Sequence, residues 1–188
     1  MAEYLRDGAA IYEQSFAIIR AEADLSRVPP ALEKLAVRVA HACGMPDIVG
    51  ELVFSEGAGE AGRRALADGA AILCDVPAVA EGVTRSRLPA QNRVLCKPVR
   101  DWTADLADAV AAIGEDPVSL FRLLELLDAG AKKPALILAF PYGFVGAAEA
   151  KALLAKDPRG VPFVATRGRR GGTAMAAAAI NALATERE

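Results

Sequence analysis

His41 is the chain's one histidine, and imidazole is the side chain that gives or takes a proton near neutral pH. It sits near the end of an apolar-periodic stretch, Leu32, Leu35, Ala36, Val39 and Cys43. That stretch spells a helix opened by Pro29-Pro30 and stopped by Gly44. At about 100° per residue, His41 falls about 160° from the centre of the stripe, so it does not enter this helix's own core. It is then either a solvated surface histidine or a titrating group facing a pocket or a partner subunit. Close to a helix C-terminus its cationic form is favoured, which suits a proton donor.

The basic residues are clustered. Arg167-Gly-Arg-Arg-Gly-Gly172 opens an alanine-rich helix, where arginines and a helix N-terminus attract anions and glycines let a ligand approach the backbone. Close packing of helix on sheet would demand the same glycines. The spacing lacks the Gly-Lys-Ser/Thr ending of a P-loop, so it gives nucleotide binding little support. Gly82-Val-Thr-Arg-Ser-Arg-Leu-Pro89 sets Arg85 and Arg87 in a second loop, either solvated or ligand-facing. Asp75, two residues before Pro77, reads as a helix N-cap in preference to a catalytic acid. Phe140-Pro-Tyr-Gly-Phe-Val-Gly146 offers Tyr142 and Phe144 either to a flat ring or to the core.

The elements that must carry these residues follow from periodicity. Tyr12, Phe16, Ile19 and Ala23 predict an amphipathic helix over about residues 8–23, ahead of the one that bears His41. From about residue 70, five short apolar runs appear: Ala71–Cys74, Arg93–Cys96, Val110–Ile113, Ala135–Phe140 and Val161–Thr166. Helical stretches are predicted at Pro77–Glu81, Pro117–Leu127, Ala147–Ala155 and Thr173–Ala184. Strands that are apolar throughout, alternating with helices, mean a doubly wound α/β fold with a mainly parallel sheet of about five strands. Residues 51–54 are a candidate extra strand. Ligands of such sheets bind beyond the carboxyl ends of the strands, so the turns at Asp75, Gly114, 141–143 and 167–172 should share one rim.

The bulk numbers set limits. With 188 residues, 53% hydrophobic and 24% charged, the chain reads as one globular domain over 1–188, with a helical part at 1–50 and an α/β core at 70–188. A net charge of -2 argues against nucleic-acid binding through general positive charge. Cys43, Cys74 and Cys96 show no ligand spacing and read as reduced thiols of a cytoplasmic protein. No signal peptide or bilayer-length apolar run is visible, so no membrane partner is expected.

Taken together, the chain resembles the precorrin-8X methylmutase family. The resemblance is carried by Ser15-Phe-Ala-Ile-Ile-Arg20 with Glu22, by His41-Ala-Cys-Gly44, and by Ala71-Ile-Leu-Cys-Asp75. Gly82-Val-Thr-Arg85 with Leu88-Pro89, Gly143-Phe-Val-Gly-Ala-Ala-Glu149 with Lys151, and Gly168, Gly171-Gly172 and Asn181-Ala-Leu183 complete it. It implies a flavodoxin-like fold and a homodimer with active sites at the subunit interface. It also implies migration of a ring methyl from C-11 to C-12, turning precorrin-8X into hydrogenobyrinic acid, with His41 as the proton donor and no metal or diffusible cofactor. The polycarboxylate tetrapyrrole would lie against Ser15 and Arg20, against Thr84, Arg85 and Arg87, and against Tyr142, Gly143 and Lys151. Arg167, Arg169, Gly171 and Gly172 would complete its contacts.

The chain also departs from that family. A longer segment expected before the central strand, with a Thr-Arg-Ser stretch that approaches the substrate, is missing between Lys97 and Val110. The family's Gly-Asn-Ala-Pro-Thr turn reads Gly114-Glu-Asp-Pro-Val118, adding two carboxylates that repel a polyanion, and its Glu-Ser-Lys reads Glu149-Ala-Lys151. A corrinoid-binding protein without turnover and a nucleotide-using α/β enzyme stand as the alternatives.

Overall fold

A computed structural model describes residues 5–185, and the two ends of the expected domain, 1–4 and 186–188, lie outside it. Six short strands are formed: β1 (Leu52–Phe54), β2 (Ile72–Cys74), β3 (Val94–Cys96), β4 (Val110–Ile113), β5 (Leu136–Ala139) and β6 (Phe163–Thr166). They make one sheet in the order β1-β6-β5-β4-β2-β3. Strands β2 to β6 are mutually parallel, and β1 closes one edge antiparallel to β6, with Leu52 opposite Thr166. The five apolar runs are thus the five parallel strands, and residues 52–54 are the extra one. Counted from β2, the parallel strands lie in the order 2-1-3-4-5, the flavodoxin-like arrangement, with its switch point between β2 and β4.

Among the described residues seven α-helices surround the sheet: α1 (Gly8–Glu22), α2 (Pro30–Cys43), α3 (Ala58–Ala67), α4 (Pro77–Gly82), α5 (Pro117–Asp128), α6 (Ala147–Lys156) and α7 (Thr173–Ala184). Alternate strand residues point to opposite faces. Ile72, Cys74, Val110, Ala112, Leu136 and Leu138 share one core with α3, α4 and α7 and, behind them, α2 and α1, while Leu73, Ala111, Ile113, Ile137 and Ala139 share the other with α5 and α6. Both faces are therefore dry, which is why the central strands lack polar alternation. None of the described helices is long and apolar enough to cross a membrane.

Two local outcomes differ from the sequence expectation. Helix α3 was not anticipated, because Gly59 and Gly62 depress helical propensity by about 1 kcal/mol each. Packing explains them: a Cβ on Gly59 would lie 2.7 Å from the Ala31 carbonyl oxygen, and one on Gly62 would lie 2.7 Å from Leu136 Cδ2. The second concerns Asp75. Val76 occupies the N-cap of α4 with no side-chain cap, and the Asp75 carboxylate instead accepts from the Gly114 and Glu115 N–H groups at 3.0 and 3.1 Å. It ties the end of β2 to the turn after β4, across the switch point.

The connection from β3 to β4 is short and stapled. Trp102, fully buried, donates its indole N–H to the Lys97 carbonyl at 2.8 Å, and Asp105 pairs with Lys97 and, at 3.5 Å, with Arg93. Val99, Trp102 and Leu106 fill the face shared with α5.

Candidate active site

Helix α2 ends at the rim formed by the carboxyl ends of the parallel strands. Gly44, left-handed at φ 68°, stops it and sends the chain into a 3-10 turn at Pro46–Glu51. That turn abuts the loop after β6: the Arg167 N–H donates to the Glu51 carbonyl at 2.7 Å, and Arg170 pairs with Asp47 at 2.6 Å. His41, in the last turn of α2, is half-buried. Its ring lies 5.1 Å from that of Tyr12 and, edge-on, 5.3 Å from that of Phe16, both on α1. The face opposite the α2 stripe thus serves neither core nor bulk water, but packs against α1 beside a cavity.

That cavity, about 280 Å³, is bounded by Tyr12, Phe16, Arg38, His41, Gly82 and the α7 residues Ala174, Ala178 and Asn181. It adjoins a larger one of about 620 Å³, which shares Tyr12, Phe16, Arg38 and Asn181 and adds Glu13, Thr84 and Arg87. The turn bearing Thr84 and Arg87 is held by Asn181, whose side chain accepts from the Thr84 N–H at 2.8 Å and donates to the Gly82 carbonyl at 2.9 Å. Gly82 must be glycine here, since a Cβ would lie 2.6 Å from that of Ala177. The groove therefore combines an acid–base group, aromatic walls and two guanidinium groups, a set able to bind a flat, anionic ring and hand it a proton.

The rest of the expected set divides. Tyr142, Gly143, Arg167 and Arg169 share the rim turn, where the Gly143 N–H donates to the Arg169 carbonyl at 3.1 Å and Arg169 lies 5.1 Å over the exposed Phe144 ring. Gly171 and Gly172 pack on the end of β5: a Cβ on Gly171 would fall 2.2 Å from the Phe140 carbonyl oxygen, which accepts from the Gly172 N–H at 2.8 Å. Arg85 is exposed at the head of its turn. Ser15 and Arg20 lie outside the groove: the Ser15 hydroxyl donates to the Ile11 carbonyl at 2.7 Å, and Arg20 pairs with Glu33 at 3.2 Å. Reading the sequence missed Tyr12, Phe16 and Asn181 as groove residues and Arg38 altogether. The available signal for Arg38 was its place three residues before His41, hence on the same side of α2.

Lys151 sits beneath the arginine loop, 1% exposed, donating to Thr166 Oγ1 at 3.1 Å and to the Arg170 carbonyl at 2.7 Å. Burial pushes its pKa down from 10.5 to about 8. An unfolded lysine keeps its proton to the higher value, so between these limits the unfolded chain binds more protons and stability gains with rising pH. The expected result is a melting temperature for the parent that rises relative to Lys151→Met as pH goes from 8 to 10. A constant difference across that window refutes it.

Fold and groove define a doubly wound α/β protein with an imidazole beside a wall that bears two guanidinium groups. The family described as precorrin-8X methylmutase matches residues 10–98 and 97–186. The chain is 62% identical to the precorrin-8X methylmutase of Pseudomonas aeruginosa over the full length of both. It is 52% identical to that of a Sinorhizobium species, over 97% of this chain and 96% of the relative. The crystal structure of the Thermus thermophilus precorrin-8X methylmutase aligns with a TM-score of 0.85 at 34% identity, covering 94% of each chain. The chain belongs to the precorrin-8X methylmutase family. The two matched stretches meet at residues 97–98, and the Pseudomonas alignment runs over 208 positions against 188 residues here. That alignment leaves about twenty positions without a counterpart in this chain, and the family matches part where β3 ends.

Proposed function

We propose that this chain acts as a single-domain, cytoplasmic precorrin-8X methylmutase of cobalamin biosynthesis, with His41 as its proton donor. The proton lent by His41 to the macrocycle weakens the bond between C-11 and its methyl group. That bond breaks as the one to C-12 forms, and the proton is returned, so hydrogenobyrinic acid has the composition of its precursor. The reaction is an isomerisation and calls on no metal or diffusible cofactor. The observation that carries this reading is the half-buried His41 imidazole at the mouth of an arginine-bearing groove, in a chain 62% identical along its length to a named methylmutase.

The enzyme works as a homodimer with each groove completed by the partner. Support comes from helix α1, which walls the groove through Tyr12 and Phe16 and leaves the large apolar side chains of Ile11 and Ile18 exposed. Each cavity, about 280 and 620 Å³, also falls short of the roughly 1,000 Å³ at the upper end of ligand pockets, so a large ligand would need a further wall. Incubation of purified protein with precorrin-8X should give an orange product with a changed visible spectrum, and light scattering should give twice the chain mass. The missing segment at 97–98 favours one other reading, a corrinoid-binding protein. Tight binding of hydrogenobyrinic acid with no conversion of precorrin-8X would select it.

A further inference from the structure

We propose that Cys74 and Cys96 form a redox-responsive dithiol, which peroxide closes into a disulfide that staples edge strand β3 to the middle of the sheet. Both are free thiols, and each is the last residue of its strand. The parallel ladder pairs them directly, Cys74 opposite Cys96. Neighbouring strands run about 4.8 Å apart, inside the range of roughly 4.4–6.8 Å between Cα atoms that a disulfide spans. Residues paired in register project from the same face, here the one covered by α4. The electrostatics agree. Burial and then the Cys96 thiol push the Cys74 pKa up to about 12, with Asp75 adding to the rise and Arg85 opposing it. Burial, and then Asp75 and Glu81 of α4, raise that of Cys96.

The two thiols differ in access, which sets their roles. Cys96 is exposed and Cys74 is fully buried. The oxidant therefore meets Cys96: its sulfur attacks one peroxide oxygen, the O–O bond breaks, and Cys96 sulfenic acid and one water result. The Cys74 sulfur then attacks that of Cys96, the S–O bond breaks, and the hydroxyl leaves as a second water with the Cys74 proton. Each sulfur has lost one electron and the peroxide has gained two. The raised pKa values keep the thiolate fraction low, so the pair stays reduced until peroxide is abundant. The strand can make the small approach. β3 is three residues long and pairs with β2 alone, and the next ladder bond, from the Lys97 N–H to the Cys74 carbonyl, is long at 3.4 Å. Cys74 leads into Asp75, which grips the turn after β4, and Cys96 into Lys97, whose carbonyl takes the Trp102 indole. A bridge here ties the β3–β4 connection to the switch point, and neither cysteine lines the His41 groove.

The test treats the purified full chain with hydrogen peroxide and reads intact mass and tryptic peptides under non-reducing conditions. The expected product is one cross-linked peptide pair, Cys74 with Cys96 of the same chain, reversed by dithiothreitol. The closed form should melt about 4 °C or more above the reduced one, because the bridge restricts the unfolded chain. Cys43→Ser, a change on α2, should close as the parent does. Cys96→Ser, a change at an exposed position, should show neither the cross-link nor any rise in melting temperature on oxidation. Cys96 oxidised to the sulfinic acid with Cys74 left free, Cys96 joined to a second chain, or a closed form that melts no higher than the reduced parent overturns the proposal.

Discussion

Replacing His41 by alanine is expected to lower kcat for conversion of precorrin-8X by about 100-fold or more, within the range general acid catalysis supplies. Hydrogenobyrinic acid should still bind within about threefold of the parent, because the arginines and aromatic walls that hold the ring remain. The structural cost should be small, since the imidazole is half-buried against Tyr12 and Phe16 and contributes nothing to the central core. Tyr12 provides the control. Its phenol is the other proton-bearing group in ring contact with His41, at 5.1 Å between centroids. Histidine is the side chain most often used for proton transfer near neutral pH, so Tyr12→Phe should keep most of the activity. His41→Ala turning over as fast as the parent would remove His41 from the chemistry. The reverse ranking of the two variants would transfer its role to Tyr12.

The parallel sheet was legible because burial on both faces leaves an unmistakable mark, a run such as Leu136–Ala139 with no polar position. Helix ends were legible where one residue decides the backbone, as Gly44 does with its left-handed φ. Helix α3 was hidden for the complementary reason. Its glycines report what lies across from them, Ala31 and Leu136, and no local pattern contains that information. The site divides along the same line. His41 announced itself by pointing away from its own stripe, but whether it met water or another element depended on α1, which is remote in the fold's logic though near in sequence. Arg170 shows the opposite error of a cluster read by composition: it is engaged with Asp47 and, at 3.7 Å, with Glu51, so the loop's basic charge is not all offered to a ligand. Arg38 was overlooked because what marks it, an unmatched Nε facing Arg87, exists only once α2 and the 85–87 turn are brought together.

Restoring the absent segment is expected to raise kcat/KM by about tenfold or more. The experiment inserts, between Lys97 and Pro98 where the two family matches part, about twenty residues of the Pseudomonas relative that have no counterpart here. The junction lies at the carboxyl end of edge strand β3, next to an open cavity of about 610 Å³ between Asp75, Arg100, Asp116 and Arg122. This is the switch-point side of the rim, where open α/β sheets take their ligands. A segment over it would exclude water and add contacts to a substrate now held from fewer sides, strengthening each charged interaction beneath it. The fold should tolerate the graft: Pro98 is exposed, and lengthening a surface loop costs only about 0.6 kcal/mol per doubling. The Trp102 bond to the Lys97 carbonyl and the Asp105 pairs with Lys97 and Arg93 cross the junction, so an insert whose two ends lie close together should keep them. Melting temperature should therefore shift little while catalytic efficiency climbs. A well-folded graft with unchanged kcat/KM would mean that the short, Trp102-stapled connection is already the working form of this rim, and that substrate closure comes from the partner subunit alone.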